Sequence, residues 1–363
     1  MLENPVQVIR TSGLAISNRI QNDFKKLDNF PTLPSTPALR LNNYLDRLLT
    51  ATDGLRAPIR VSGVSNFVKC IVGKAGARQI EKDLSISNAC LRGWCTGRRT
   101  VPLPTLKKMI EMYYTKNMQV KLWEKIFDSA RYFTSIGSPH RVSLPRSLTP
   151  ELSYFLGYLY GDGCLSNAPR RLQKNGKLLC EIKIADFSYE HIKNMSKLFQ
   201  KLFNVNAPVR NERIHKGQQV LYIDPKCKVI HQFLNHVFGM PIGEKKGKLR
   251  VPAVILQAGT ELRKWFVAGF FDADGGTPKM EELKHRFRPR IMIKQASLGI
   301  LRDITQILQD DMGLIVFGPY REVTGVWCIS LESRSSVKRF CALLPSIHPV
   351  KSWRLREMLR RLQ

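Results

Sequence analysis

The chain has 363 residues, enough for two or three domains, and 43% of them are hydrophobic, so it can bury real cores and is no disordered polymer. Its 58 lysines and arginines stand against 29 acidic residues, a formal charge of +29 that makes a compact fold repel itself and calls for a polyanionic partner. No segment has the long uncharged apolar run of a spanning helix and the start lacks a basic-then-apolar leader, so the expectation is a soluble intracellular protein, cytoplasmic or nucleoid-associated, that binds nucleic acid and no membrane.

Residues 1–60 read as an N-terminal extension, in which a helical stretch, ALRLNNYLDRLLT, follows the Pro-rich FPTLPSTP and carries no chemistry. Residues 61–132 alternate helical periodicity with short breaks. Ala77 to Leu84 form one predicted helix, and Asn88 to Trp94 a second after a tight turn in which Ser87 is the N-cap. Another helix starts at Leu103, beyond Gly97, Arg98 and Arg99. This pattern resembles the Cro-like helix-turn-helix family, an all-α module whose second helix enters the major groove. The resemblance implies that Asn88 and Arg92 face DNA, with Arg78, Gln79, Lys82, Arg98 and Arg99 near phosphates; a bundle that merely happens to be basic is the plainer alternative. Residues 133–148, punctuated by Gly137, Pro139 and Pro145, read as a linker.

The eight cysteines form no CxxC pair and read as free thiols. His231 and His236 sit five apart in HQFLNH, which on a helix turns their rings to different faces, so no zinc site is expected there.

The rest of the chain reads as a duplicated unit, residues 149–259 and 260–363. Its two copies open on TPELSYFLGYLYGDG, from Thr149 to Gly163, and TELRKWFVAGFFDADG, from Thr260 to Gly275. Each begins with a Thr read as N-cap and an acid in the first turn, and each ends in a glycine read as a left-handed C-cap. Asp162 and Asp274, just before those glycines, put negative charge at the negative end of a helix, so a cation is expected to compensate. Small residues four apart, Gly157 with Gly161 and Gly269 with Ala273, make stripes along which two backbones can approach. Parallel packing on those stripes sets Asp162 beside Asp274. Oxygen ligands favour Mg2+ or another hard divalent cation such as Mn2+, a constellation suited to phosphodiester hydrolysis.

Behind each helix comes a basic hairpin. Glu181 and Lys183 alternate with Ile182 and Ile184, and Arg290, Met292 and Lys294 alternate with Ile291 and Ile293, as in strands with one face on a core and one on phosphates. Arg170, Arg171, Lys174 and Lys177 in the first hairpin, and Arg288 in the second, are further expected DNA contacts. An amphipathic helix, a second strand pair, a helix and a turn with lysine follow in both copies.

The nonapeptides FLGYLYGDG and VAGFFDADG resemble the signature of the LAGLIDADG endonucleases, in the two-copy, single-chain form. The resemblance implies an α+β fold of tandem αββαββα repeats, related by a pseudo-twofold axis and forming a saddle over DNA. It implies a monomer that cuts double-stranded DNA at a long asymmetric site. Asp162 and Asp274 would hold metal; Gln295 and Asp186 would orient water. Lys351 and either Lys245 or Lys246 would lie near the scissile phosphate. The sixth signature position is Asp272 in one copy and Tyr160 in the other. A non-cutting transcriptional regulator, or a maturase acting on intron RNA, could use the same saddle. The opening Met and the closing RRLQ supply no splicing Cys, Ser or Asn, so a free-standing enzyme, such as an intron-encoded one, is expected over an intein.

Overall fold

The computed structural model describes residues 40–41, 48, 58–169, 178–215, 217–278 and 288–363. Arg170, Arg171, Lys174 and Lys177 therefore lie outside the described residues.

The N-terminal unit runs β1 (Ile59–Ser62), α1 (Ser65–Ala75), α2 (Ala77–Leu84), α3 (Asn88–Cys95), β2 (Val101–Pro102), α4 (Leu103–Tyr113), α5 (Lys116–Ser129) and β3 (Tyr132–Ser135). Ser85 ends α2 in the left-handed conformation, and the Ser87 hydroxyl accepts the Cys90 N–H at 3.3 Å, which starts α3. Ile80, Leu91 and Trp94 bury the inner faces of the pair against Val68, Leu106 and Ile110. The unit is not all helical. β1 is flanked by β2 and β3 in a three-stranded antiparallel sheet, with Ile59, Val61 and Phe133 turned into the core. Strands of two to four residues are too short for a period of two to register in sequence. β3 also carries this sheet into the stretch read as linker, where Phe133 and Val142 exchange backbone hydrogen bonds at 2.8 Å.

The first repeat runs α6 (Pro150–Asp162), β4 (Gly163–Pro169), β5 (Leu178–Asp186), α7 (Tyr189–Phe203), β6 (Arg210–His215), β7 (Gln218–Ile223) and α8 (Lys228–Phe238). After a short α9 (Ala253–Leu256), the second runs α10 (Thr260–Asp274), β8 (Gly275–Gly276), β9 (Ile291–Gln295), α11 (Leu298–Asp310), β10 (Phe317–Arg321), β11 (Trp327–Leu331), α12 (Arg334–Leu343) and α13 (Pro349–Leu362). The two four-stranded sheets have the same order, β4-β5-β7-β6 and β8-β9-β11-β10. α7 buries Ile192, Met195, Leu198 and Phe199 in the first repeat, and α11 buries Ile300, Leu301, Ile304 and Ile307 in the second. Among the described residues no helix is long and apolar enough to cross a membrane.

At the centre α6 and α10 touch backbone to backbone. A Cβ on Gly157 would lie 2.0 Å from the Phe266 carbonyl oxygen, and one on Gly269 would lie 2.0 Å from that of Tyr154. One turn on, a Cβ on Gly161 would meet Ala273 at 2.3 Å. Because the contacts advance together along both helices, the pair is parallel and its C-terminal ends coincide. α6 is buried from Leu152 to Gly161, as a helix apolar on all sides must be.

Both helix ends differ from the expectation. Gly163 (φ −90°) and Gly275 (φ −78°) are extended, not left-handed, because each is the first residue of a strand. Glycine is required there for room: a Cβ would lie 2.7 Å from Leu159 O in one copy and 2.5 Å from Phe271 O in the other. At the N-termini, Thr149 caps α6 by accepting the Leu152 N–H at 3.2 Å, whereas Thr260 lies inside α10, which Gly259 caps. The Thr260 hydroxyl instead donates to Asp311, the ion-pair partner of Arg263.

Gly157→Ala should therefore cost about 1–3 kcal/mol, since the added methyl meets backbone that cannot move aside. Gly73→Ala, in open space on α1, should stabilise by about 0.5–1 kcal/mol. Urea unfolding measures both; equal effects at the two sites would contradict the close helix contact.

Candidate active site at the paired helix ends

The parallel contact brings Asp162 and Asp274 to adjacent helix ends. The Asp274 carboxyl is pushed up to about 7, first by burial and then by the negative charge of Asp162. Asp162 reaches solvent in the groove, yet the protein around it still raises its pKa; Lys351 pulls it back down.

Two lysines answer the helix dipoles. Lys245 Nζ donates to the carbonyls of Tyr160 (3.1 Å) and Gly161 at the end of α6. Lys351 Nζ donates to those of Phe271 (3.0 Å), Asp272 (2.7 Å) and Ala273 (2.8 Å) at the end of α10. Burial lowers the pKa of both amines, and the surrounding aspartates oppose it. Of the two lysines considered in the first repeat, Lys245 occupies the site; Lys246 is exposed and directed elsewhere, because only one of two consecutive residues in a turn can aim at the helix end.

Sheet register fixes the next pair. Gly163 lies opposite Ile184 and Gly275 opposite Ile293, so Asp186 and Gln295, each two residues further on, are equivalent. Their contacts are not. Gln295 Nε2 donates to Asp274 at 2.7 Å. Asp186 accepts from the Tyr158 hydroxyl and from the Ser188 N–H at 2.7 Å, and lies 3.4 Å from His348 Nε2. Burial alone would raise the Asp186 pKa, but the His348 interaction and these hydrogen bonds hold it below the usual carboxylate range.

A cavity of about 400 Å3 opens here, lined by Asp162, Asp186, Phe187, Ala273, His348 and Lys351 among others. Sequence reasoning missed His348, although His-Pro before a lysine-bearing helix is an N-cap pattern. It singled out Asp272 as a signature position without a role; that side chain is buried and accepts from the Tyr154 hydroxyl (2.6 Å), the Ser346 hydroxyl (2.5 Å) and the N–H groups of Ile347 (2.9 Å) and His348 (3.0 Å). Its counterpart, Tyr160, donates to the Phe238 carbonyl at 2.6 Å. Both sixth-position side chains thus brace the segment leading to the lysine of their own repeat.

The carboxylate pair suits a hard cation. Burial, and after it the charge of Asp162, let Asp274 keep its proton to near neutrality, and beyond the pair no group of three His, Cys, Asp or Glu converges among the described residues. The expected DNA contacts lie apart from this site. On the sheets, Lys183 sits over the Tyr222 ring at 4.8 Å, Arg290 pairs with Glu332 at 3.1 Å, Lys294 pairs with Glu322 at 2.7 Å, and Arg288 is exposed. In the N-terminal unit Arg92, Arg98 and Arg99 are exposed, and Asn88 donates to Glu81 at 2.6 Å.

No family model matches the chain. The Aeropyrum pernix homing endonuclease I-ApeI is 26% identical over 154 residues, 42% of this chain and 67% of that protein. The probable translation initiation factor IF-2 of Methanocaldococcus jannaschii is 28% identical over 157 residues, and the match spans 12% of that much longer protein. Among solved structures, I-DmoI in complex with DNA and Mn aligns with 54% of this chain and 97% of that one, at 17% identity and a TM-score of 0.39.

Because Asp274 binds its proton more tightly in the folded state, its own contribution to the stability of the metal-free fold is fully present below about pH 4 and is lost as pH rises through about 7. In EDTA, Asp274→Asn should be more stable than wild type at pH 8, by on the order of 2 kcal/mol given the groove's access to solvent, and equal to it near pH 4. A constant difference across thermal melts at these pH values would show that the two acids do not strain each other. Two Asp-Gly-terminated motifs that resemble the LAGLIDADG signature thus head a twice-repeated αββαββα fold, and the chain is similar over 154 residues to the homing endonuclease I-ApeI.

Proposed function

We propose that the protein is a site-specific endonuclease that hydrolyses both strands of duplex DNA with a divalent cation, Mg2+ or Mn2+, held by Asp162 and Asp274. The observation that carries this reading is the pair of carboxylates forced together at helix ends whose backbones touch, an arrangement costly to the fold unless a cation joins it. A gripping module, whether regulator or maturase, has no use for that cost.

The cation, when bound, would supply the charge that activates water and stabilises the leaving oxygen. The chain's own groups do the rest. Gln295 fixes the Asp274 carboxylate and can orient a water beside it. Asp186 offers an anchored carboxylate to the cavity next to Asp162. Lys245 and Lys351 keep two positive charges at the groove floor, where the phosphate would lie. On the sheets Lys183, Arg288, Arg290 and Lys294 would meet the DNA backbone and major groove; surface pairs such as Lys294–Glu322 are worth only about 0–1 kcal/mol, so phosphates can replace the acids. The N-terminal unit would act as a tethered helix-turn-helix, with Asn88 leaving Glu81 to read a base beside Arg92, and Arg98 and Arg99 on phosphates.

Cleavage of a randomised duplex library with Mg2+ tests the reading: discrete double-strand cuts should appear with wild type and vanish with Asp162→Asn and with Asp274→Asn. Tight salt-dependent binding without cuts, unchanged by either substitution, would put the protein among the regulators or maturases. Replacing Arg92, Arg98 and Arg99 by alanine should lower the salt slope of DNA affinity by about 1 for each phosphate no longer neutralised, with cleavage chemistry intact at saturating protein. An unchanged slope would remove the N-terminal unit from the interface.

A further inference from the structure

His348 belongs to the second repeat but ends against the first. Its Nδ1 accepts the Lys351 N–H at 3.4 Å, which caps α13 and leaves Nε2 to carry the ring proton. That Nε2 faces Asp186 Oδ2 across 3.4 Å, and both side chains are about nine-tenths buried. The ring is held in place by the His191 ring at 4.6 Å, itself 4.7 Å from the ring of Tyr158, whose hydroxyl donates to the same Asp186 oxygen. Capping alone accounts for Nδ1 and leaves the aim of Nε2 unexplained.

Among the described residues the opposite half-site has no such brace. The residue three before Lys245, as His348 is three before Lys351, is Ile242, which cannot donate a hydrogen bond from its side chain. At that turn the Ser297 hydroxyl of the second repeat donates to the Lys245 carbonyl at 3.0 Å. Where the first repeat has Asp186, the second has Gln295, a residue that donates to Asp274 without help. A second buried carboxylate near Asp162 needs a donor to hold it, and a neutral amide does not.

Resting on the endonuclease reading, we propose that His348 is a positioning residue of one half-site only: inserted from the second repeat, it fixes the Asp186 carboxylate in the cavity beside Asp162, so that the two DNA strands are cut by unlike sites. With a duplex recovered from the library and each strand labelled, His348→Ala should slow scission of one strand by about 10- to 100-fold and leave a nicked duplex, the usual size of effect when a group orienting a reactive ligand is removed. The other strand should keep its rate, and His348→Gln, whose amide can donate to Asp186, should recover most of the activity. Equal slowing on both strands, or none, would overturn the proposal.

A measurement independent of cutting tests the brace itself. Nitrogen-15 NMR of the metal-free protein should show His348 as the Nε2–H tautomer with its proton protected from exchange, and Asp186→Ala should expose that proton. An Nδ1–H tautomer, or an Nε2 proton indifferent to Asp186, would overturn it. A wild type that cuts no duplex would defeat the endonuclease reading and the strand asymmetry with it, while the NMR result would still decide the brace.

Discussion

The contact on which the rest depends is the one between α6 and α10 at Gly157 and Gly269. Once two backbones approach so closely that no Cβ fits between them, the helix ends have no freedom to separate, and whatever side chains they carry must share one small volume. Two aspartates there repel each other, and each also opposes the dipole of its own helix. The fold answers the second problem with Lys245 and Lys351, which hydrogen-bond the last carbonyls directly. It leaves the first unanswered: burial, and after it the charge of Asp162, raise the pKa of Asp274.

The lysines are themselves held by the sixth position of each motif. Tyr160 reaches the Phe238 carbonyl and Asp272 gathers the 346–348 segment, so in each repeat the central helix positions the turn whose lysine comes back to cap it. The loop closes through different chemistry in the two copies. In the second, Asp272 also accepts from Tyr154 of α6, which ties the brace of one repeat to the helix of the other.

Much of this was legible in the sequence, for a physical reason. The glycine stripes, the Asp-Gly ends, the alternating strands and the turn lysines answer to backbone geometry, which imposes the same residue at the same offset in both copies. Strands β1, β2 and β3 were not legible, being too short to show a period. The conformation of Gly163 and Gly275 was misread because a glycine after a helix usually signals a left-handed cap, whereas here it makes room for a strand that starts at once. The roles of His348, Asp272 and Tyr158 were not legible because they arise from contacts between segments far apart in the chain, Asp272 with Tyr154 across 118 positions for instance, and no local pattern encodes those.

The same division explains which positions differ between the repeats. Residues that serve the backbone match: Gly157 with Gly269, Asp162 with Asp274, Lys245 with Lys351. Those that serve other side chains have diverged as a set: Tyr160 against Asp272, Asp186 against Gln295, Ile242 against His348. A set of this kind is coupled, since Asp272 orders the segment bearing His348 and His348 in turn meets Asp186. Exchanging one member alone strands a buried polar group, which costs about 1–3 kcal/mol or more. Exchanging the whole set moves from one satisfied network to another. Two copies of one fold can therefore keep the same helix ends and still place unlike side chains around them.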